Sequence, residues 1–213
     1  MSIAEELLRR YGVKYVVIRN LPEKIFVEKP VRTTNEKFLI YQGAVNEGRC
    51  FETLIPAMKE VNTRLVICGT GNFLHQAREL VQQNFLEHKI EFRGNLLPEQ
   101  LKHLTPQAYA GITLFASTGM NQYYSLANRF FDYMMAGIPQ LCVNYPEYAA
   151  INGQLEVAYL VNNTDTATLA AALNNLLLND VLYENLRSNC LQARLLLNWE
   201  REEQLLLNFY KAL

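Results

Sequence analysis

What this sequence lacks narrows its chemistry first. No apolar run approaches the roughly 20 residues that a membrane-spanning helix needs, and the opening M-S-I-A-E-E-L-L-R-R lacks the basic-then-apolar order of a secretory leader. Histidine and cysteine are sparse, three and four in 213 residues. His75, His88 and His103 stand at no metal-ligand or triad spacing, and Cys50, Cys68, Cys142 and Cys190 form no C-x-x-C pair. The cysteines are expected to be structural thiols of a reducing compartment, the histidines surface residues, and no metal is expected. Charge bias is missing too: 20 basic against 21 acidic residues leave a net charge of −1. With no basic stripe interleaved with aromatics, nucleic acid is not an expected partner. There is no G-K-S/T after a glycine loop and no G-x-S-x-G. Repeats and low-complexity tracts are absent as well.

What is present is an alternation. Short apolar runs bounded by Gly, Asn or Pro read as strands buried on both faces: Phe38–Gln42, Arg64–Cys68, 90–92, 111–115, Gln140–Val143 and 157–161. Between them lie helical patterns. Phe51, Leu54, Ile55 and Met58 fall on one helical face, with Pro56 predicting a kink or late start. Gly71-Asn72 leads into a helix at 73–84, Pro98 opens one over 99–104, and Thr164-Asp165 offers a cap for Thr166–Leu178. This order predicts an α/β fold, a doubly wound parallel sheet with helices on both faces.

The ends differ. Ile3–Tyr11 reads as an amphipathic helix closed by Gly12, residues 14–18 as a strand, and 20–37 as a linker without period. Beyond Asn179 the chain reads as extra terminal helices, with Trp199, Leu205, Leu206, Phe209 and Leu213 as an apolar stripe. The expected division is therefore 1–36, a terminal helix, strand and linker, and 37–213, a Rossmann-like domain.

Three strand-to-helix turns carry candidate chemistry. The stretch 122–147, Q-Y-Y-S-L-A-N-R-F-F-D-Y-M-M-A-G-I-P-Q-L-C-V-N-Y-P-E, predicts a helix starting near Ser125 and ended by Gly137. In an open parallel sheet, ligands sit at the carboxyl ends of strands beside such helix starts, which favour phosphate. Asn128 and Asp132 lie one turn apart, with Tyr124 a further turn up, and a carboxylate on that face could accept both hydroxyls of a ribose. Spacing alone favours the plainer reading, in which Asp132 pairs with Arg129 at i, i+3. In Q-G-A-V-N-E-G-R, Gly43 could let backbone approach a ligand and Arg49 could grip phosphate oxygens. Taken alone, Arg49 reads more readily as a solvated surface residue. C-G-T-G-N, 68–72, is a partial glycine loop whose weight comes from its position on the same sheet edge.

Taken together, Y-Q-G-A-V-N-E-G-R, L-V-I-C-G-T-G-N, I-E-F-R-G-N-L-L-P-E-Q-L, A-G-I-T-L-F and Y-Y-S-L-A-N-R-F-F-D-Y-M-M-A-G-I-P resemble, over 37–213, the C-terminal, donor-binding half of bacterial GT-B fold glycosyltransferases, group 1 or family 4 type. The resemblance implies a sugar transferase using a nucleotide-diphosphate sugar as donor, without a further cofactor, in cell-wall, capsule or lipopolysaccharide assembly. It assigns the diphosphate to Arg49 and the amides of Ser125, Leu126 and Ala127, and the ribose to Asp132. Gly43, Gly69, Gly71, Tyr124 and Asn128 would line the cleft, with Leu96 near the nucleobase; it names no catalytic residue. Two departures stand out: Ala44 replaces a second Arg of many members, and Tyr124 replaces a Glu near the donor sugar, as in a Y-Y-S-L-x-N-K/R subgroup. A full enzyme of this type also has an N-terminal, acceptor-binding half. The chain is thus expected to be an excised domain or a naturally short protein, inactive alone. Its partners would be the donor, that missing half or a second copy meeting through the terminal helices. Its place would be the cytoplasm, or the inner-membrane surface in the full enzyme. The alternatives are a non-catalytic nucleotide-binding or interaction module that keeps the fold, and a flavodoxin-like domain binding flavin.

Overall fold

In the computed structural model, which describes residues 3–24 and 36–212, the first element is α1, Ile3–Tyr11. It ends at Gly12, whose φ of +67° a side chain would resist. The expected strand at 14–18 does not form. A strand needs a neighbour for its backbone groups, and here Tyr15, Val16 and Val17 are exposed instead. Residues 19–24 run along the last helix: the Arg19 amide donates to Glu202, the Trp199 amide to the Pro22 carbonyl, and the Lys24 amide to Glu200. The linker expected over 20–37 lies mostly outside the described residues.

Strand β1, Phe38–Gln42, is buried along its whole length, and its pleat sends alternate side chains to opposite faces. Leu39 and Tyr41 join the larger apolar cluster, which includes Phe51 and Leu54, while Phe38 and Ile40 join a smaller one with Ala108, Tyr133 and Ile138. The chain continues as α2 (Phe51–Ala57), β2 (Arg64–Cys68), α3 (Leu74–Gln83), β3 (Ile90–Gly94), α4 (Pro98–Leu104), a 3-10 turn (Thr105–Gln107) and β4 (Ala110–Thr113). There follow α5 (Met120–Tyr123), α6 (Asn128–Met135), β5 (Gln140–Val143), α7 (Pro146–Leu155), β6 (Tyr159–Val161), α8 (Thr166–Leu178), α9 (Asp180–Ala193) and α10 (Trp199–Lys211).

The six strands pair in parallel in the order β3-β2-β1-β4-β5-β6. This is the doubly wound sheet that the alternation predicted. The order reverses between β1 and β4, so their carboxyl ends flank the crevice where such folds hold ligands. Pro56 lies within α2, which stops one residue later. Asp165 caps α8 by accepting from the Thr168 amide at 2.8 Å. At the end of α6 the amides of Gly137 and Ile138 donate to Met134 and Tyr133, the reversed bonds of a Schellman close. The stripe on α10 is exposed at Leu205 and Phe209, and Leu213 lies outside the described residues. All four cysteines are free and buried, and the three histidines are exposed.

Candidate functional site

The loops after β1 and β2 are sewn together at the carboxyl edge. Gly43 donates to the Cys68 carbonyl, Val45 to Thr70, and Phe73 to Val45, all at 2.9 Å. This explains the glycines of C-G-T-G-N. A Cβ on Gly69 would stand 1.8 Å from the Gly43 carbonyl oxygen, and one on Gly71 would stand 2.3 Å from that of Val45. Their first duty is to let two loops touch. Gly69 is buried and Gly71 exposed, so only the latter offers surface to a cleft. Leu96 is half-buried and packs on the smaller apolar cluster.

Helix α6 starts at Asn128, later than the expected Ser125, because a separate turn, α5, intervenes. Tyr124 therefore shares no helical register with Asp132. Its ring meets Tyr123 edge-on at 5.2 Å. Two of the three amides expected to face an anion are engaged: Ser125 donates to Gln122, and Ala127 donates to the Tyr148 hydroxyl at 3.0 Å. No hydrogen bond among the described residues engages the amides of Leu126, Asn128 or Arg129. The last two belong to the first turn of α6, where amides lack intrahelical partners.

Asp132 does not pair with Arg129. Its Oδ2 accepts from Gln42 Nε2 at 2.9 Å, while Gln42 Oε1 accepts from the Thr105 hydroxyl at 2.8 Å. The Tyr133 hydroxyl, donating to Ile40 and accepting from the Gln42 amide, completes the network. Burial pushes the Asp132 carboxyl up to about 6, against the lowering pull of Gln42 and the Arg129 charge. It is thus largely ionised at neutral pH. Beside it opens a cavity of about 800 Å³ walled by Gln42, Asp132, Leu101, Thr105, Met135 and Pro22, among others.

A cationic group gathers at the same strand end, where a Cβ on Gly43 would lie 3.2 Å from Arg129 Nη1. Arg49 is half-buried, not solvated, its guanidinium 4.5 Å from the centre of the Phe115 ring. Desolvation lowers its pKa, and the Arg129 charge adds to that. Arg129 is buried and lies 4.7 Å from the centres of both Phe115 and Tyr41. The Tyr41 hydroxyl donates to the Ala44 carbonyl at 2.6 Å, fixing the loop between the two poles. Sequence reasoning missed Gln42, Tyr41, Phe115 and Tyr148 altogether. Their signal was faint, since a polar or aromatic residue at a strand end has no spacing pattern of its own.

An edge with cations and free amides on one side of a glycine and an acid with a cavity on the other suits a ligand with a phosphate part and a hydroxyl-bearing part. The chain matches the family described as glycosyl transferases group 1 over residues 23–192, and it belongs to that family. No curated protein sequence matches it. Among solved structures it is similar to HepE of Anabaena in complex with UDP-glucose, at 13% identity and a TM-score of 0.72, covering 84% of this chain and 50% of that one. It is similar to sucrose-phosphate synthase from Thermosynechococcus elongatus at 20% identity and a TM-score of 0.77, over 100% of this chain and 57% of that one. To the pneumococcal O-GlcNAc transferase GtfA, in complex with UDP and GlcNAc, the figures are 17% and 0.73, over 97% and 42%. The chain thus spans about half the length of these relatives and carries the Rossmann-like half of their GT-B fold.

Proposed function

We propose that this chain is the donor-binding half of a glycosyltransferase that moves a sugar from a nucleotide-diphosphate sugar to a glycan or lipid-linked acceptor. The observation that carries the reading is the two-pole edge around Gly43, in a chain of this family. The diphosphate lies against Arg49 and the first turn of α6, and the ribose diol donates to Asp132, beside the cavity. Arg49 and the helix start neutralise the charge that develops on the leaving diphosphate, so transfer needs no bound metal. Similarity to WaaG, a glycosyltransferase involved in lipopolysaccharide biosynthesis, supports an acceptor of the cell-wall or polysaccharide type in a bacterium. Work at the cytoplasmic membrane surface suits such an acceptor; among the described residues no helix is long and apolar enough to cross the membrane. The exposed run at Val13, Tyr15, Val16 and Val17 is where an acceptor-binding half would dock.

The test is calorimetric titration of the chain with UDP, GDP, UDP-glucose, UDP-N-acetylglucosamine and GDP-mannose, with and without magnesium. Saturable binding of one nucleotide, independent of metal and lost in Arg49→Ala, is the expected result. A folded chain that binds none of them, or an Arg49→Ala variant that binds as well as the parent, overturns it.

A further inference from the structure

Arg129 occupies an electrostatically poor position three times over. It is the second residue of α6, at the positive end of the helix dipole, where a cation is disfavoured. It is buried, at 8% exposure. No carboxylate forms an ion pair with it among the described residues. Burying a charge without a partner is costly. The protein's own compensation is slight: long hydrogen bonds to the Tyr41 hydroxyl at 3.4 Å and the Leu114 carbonyl at 3.5 Å, two ring faces, and an Nε with no acceptor among the described residues. A second guanidinium, Arg49, faces the same Phe115 ring. A Cβ on Gly43 would lie 3.2 Å from Arg129 Nη1, which places this nitrogen against the strand-end glycine at the crevice.

One kind of partner relieves all of this at once, an anion with several oxygens between the two guanidiniums and the free amides of α6. We propose that Arg129 is a second cationic residue of the donor site, binding the diphosphate of the nucleotide sugar together with Arg49. The inference rests on the donor reading above and adds a residue to it. It makes Arg129 a charge held ready by the core rather than a strut of the core. The unligated protein bears that charge at a cost, and the diphosphate removes it.

The test uses the whole chain and the variants R129M and R129K. Affinities for UDP, GDP, their nucleosides and inorganic pyrophosphate are measured by calorimetry, and unligated melting temperatures by scanning calorimetry. The expected result is that R129M binds the preferred nucleoside diphosphate at least tenfold more weakly. It should bind the matching nucleoside within twofold of the parent, and melt at the same temperature or higher. R129K should recover part of the lost affinity. A strut would give the opposite pattern, a lower melting temperature with nucleoside and nucleotide affected alike, and that result overturns the proposal. So does nucleoside diphosphate binding by R129M within twofold of the parent. A parent chain that binds pyrophosphate through Arg129 but no nucleotide keeps the anion site and overturns the donor reading alone. A parent chain that binds neither overturns both.

Discussion

Replacing Asp132 by Asn should make the protein more stable and a poorer binder. The carboxyl sits beside Gln42 with its pKa pushed up from 3.8 to about 6, chiefly by burial. In the unfolded chain it ionises near its ordinary value, so between about pH 4 and pH 6 the folded state holds the proton more tightly. Asp132 therefore contributes stability while protonated, and the contribution is lost as pH rises through about 6. A shift of that size amounts to about 3 kcal/mol at neutral pH. Asn keeps the volume and the acceptor for Gln42 Nε2 and removes the charge. By the scaling for a chain of this length, the variant should melt roughly 6–12 °C higher at pH 7.5, with the difference shrinking toward zero near pH 4.

The same substitution removes a charged acceptor for hydroxyl groups, and hydrogen bonds to charged groups are worth about 1.5–3 kcal/mol. Affinity for the nucleoside should fall by about ten- to a hundred-fold, and in the parent chain it should decline as pH drops below about 6. Melting scans from pH 4 to 8 and titration with the nucleoside and its 2′- and 3′-deoxy forms read both effects. An Asn variant that melts lower than the parent at pH 8 would refute the reasoning. It would mean that the Asp132 charge is held by a favourable partner, as the i, i+3 pairing with Arg129 would have provided.

Two further outcomes follow from the frame of the site. Gly69→Ala should cost more than about 3 kcal/mol in urea denaturation, because φ is +148° and the new Cβ would meet the Gly43 carbonyl; a loss under about 1 kcal/mol would show that the loops part easily. Asp165→Ala removes the cap of α8 and should cost about 1 kcal/mol, with ligand binding unchanged; an unaltered denaturation midpoint would mean that the cap bond adds nothing.

The fold was legible because its strands are buried on both faces and read as apolar blocks between turn residues. β1, β2 and β5 fall where the sequence puts them, and α1 and α8 match their predicted spans. The failures have physical causes. The segment at 14–18 has strand composition but no neighbouring strand, and composition cannot supply one. The helix expected near Ser125 starts three residues later, at Asn128, and the short helix α5 before it breaks the register that would have carried Tyr124 to Asp132. Arg129 and Asp132 have the spacing of an ion pair, yet the longer side chain reaches Phe115 and Tyr41 while the shorter meets Gln42. Glycines in a loop read as room for a ligand, whereas Gly69 makes room for Gly43. In each case the missing information was tertiary.

The two-pole site follows from the pleat of one strand. Tyr41 and Gln42 are neighbours at the end of β1, and neighbours in a strand point to opposite faces. Tyr41 turns toward α2, meets Phe51 at 4.8 Å, and offers its ring to Arg129 and its hydroxyl to the Ala44 carbonyl. Gln42 turns toward the 3-10 turn and α6, where it joins Thr105 to Asp132. One residue therefore organises the cationic pole and the next organises the acidic one. Gly43 follows directly, with a φ of +120° that few other residues adopt. Positive and negative groups this close in sequence would ordinarily neutralise each other. Here each has partners of its own, the Tyr41 and Phe115 rings for Arg129 and the Gln42 side chain for Asp132, and each pole remains available to a ligand that carries the complementary group.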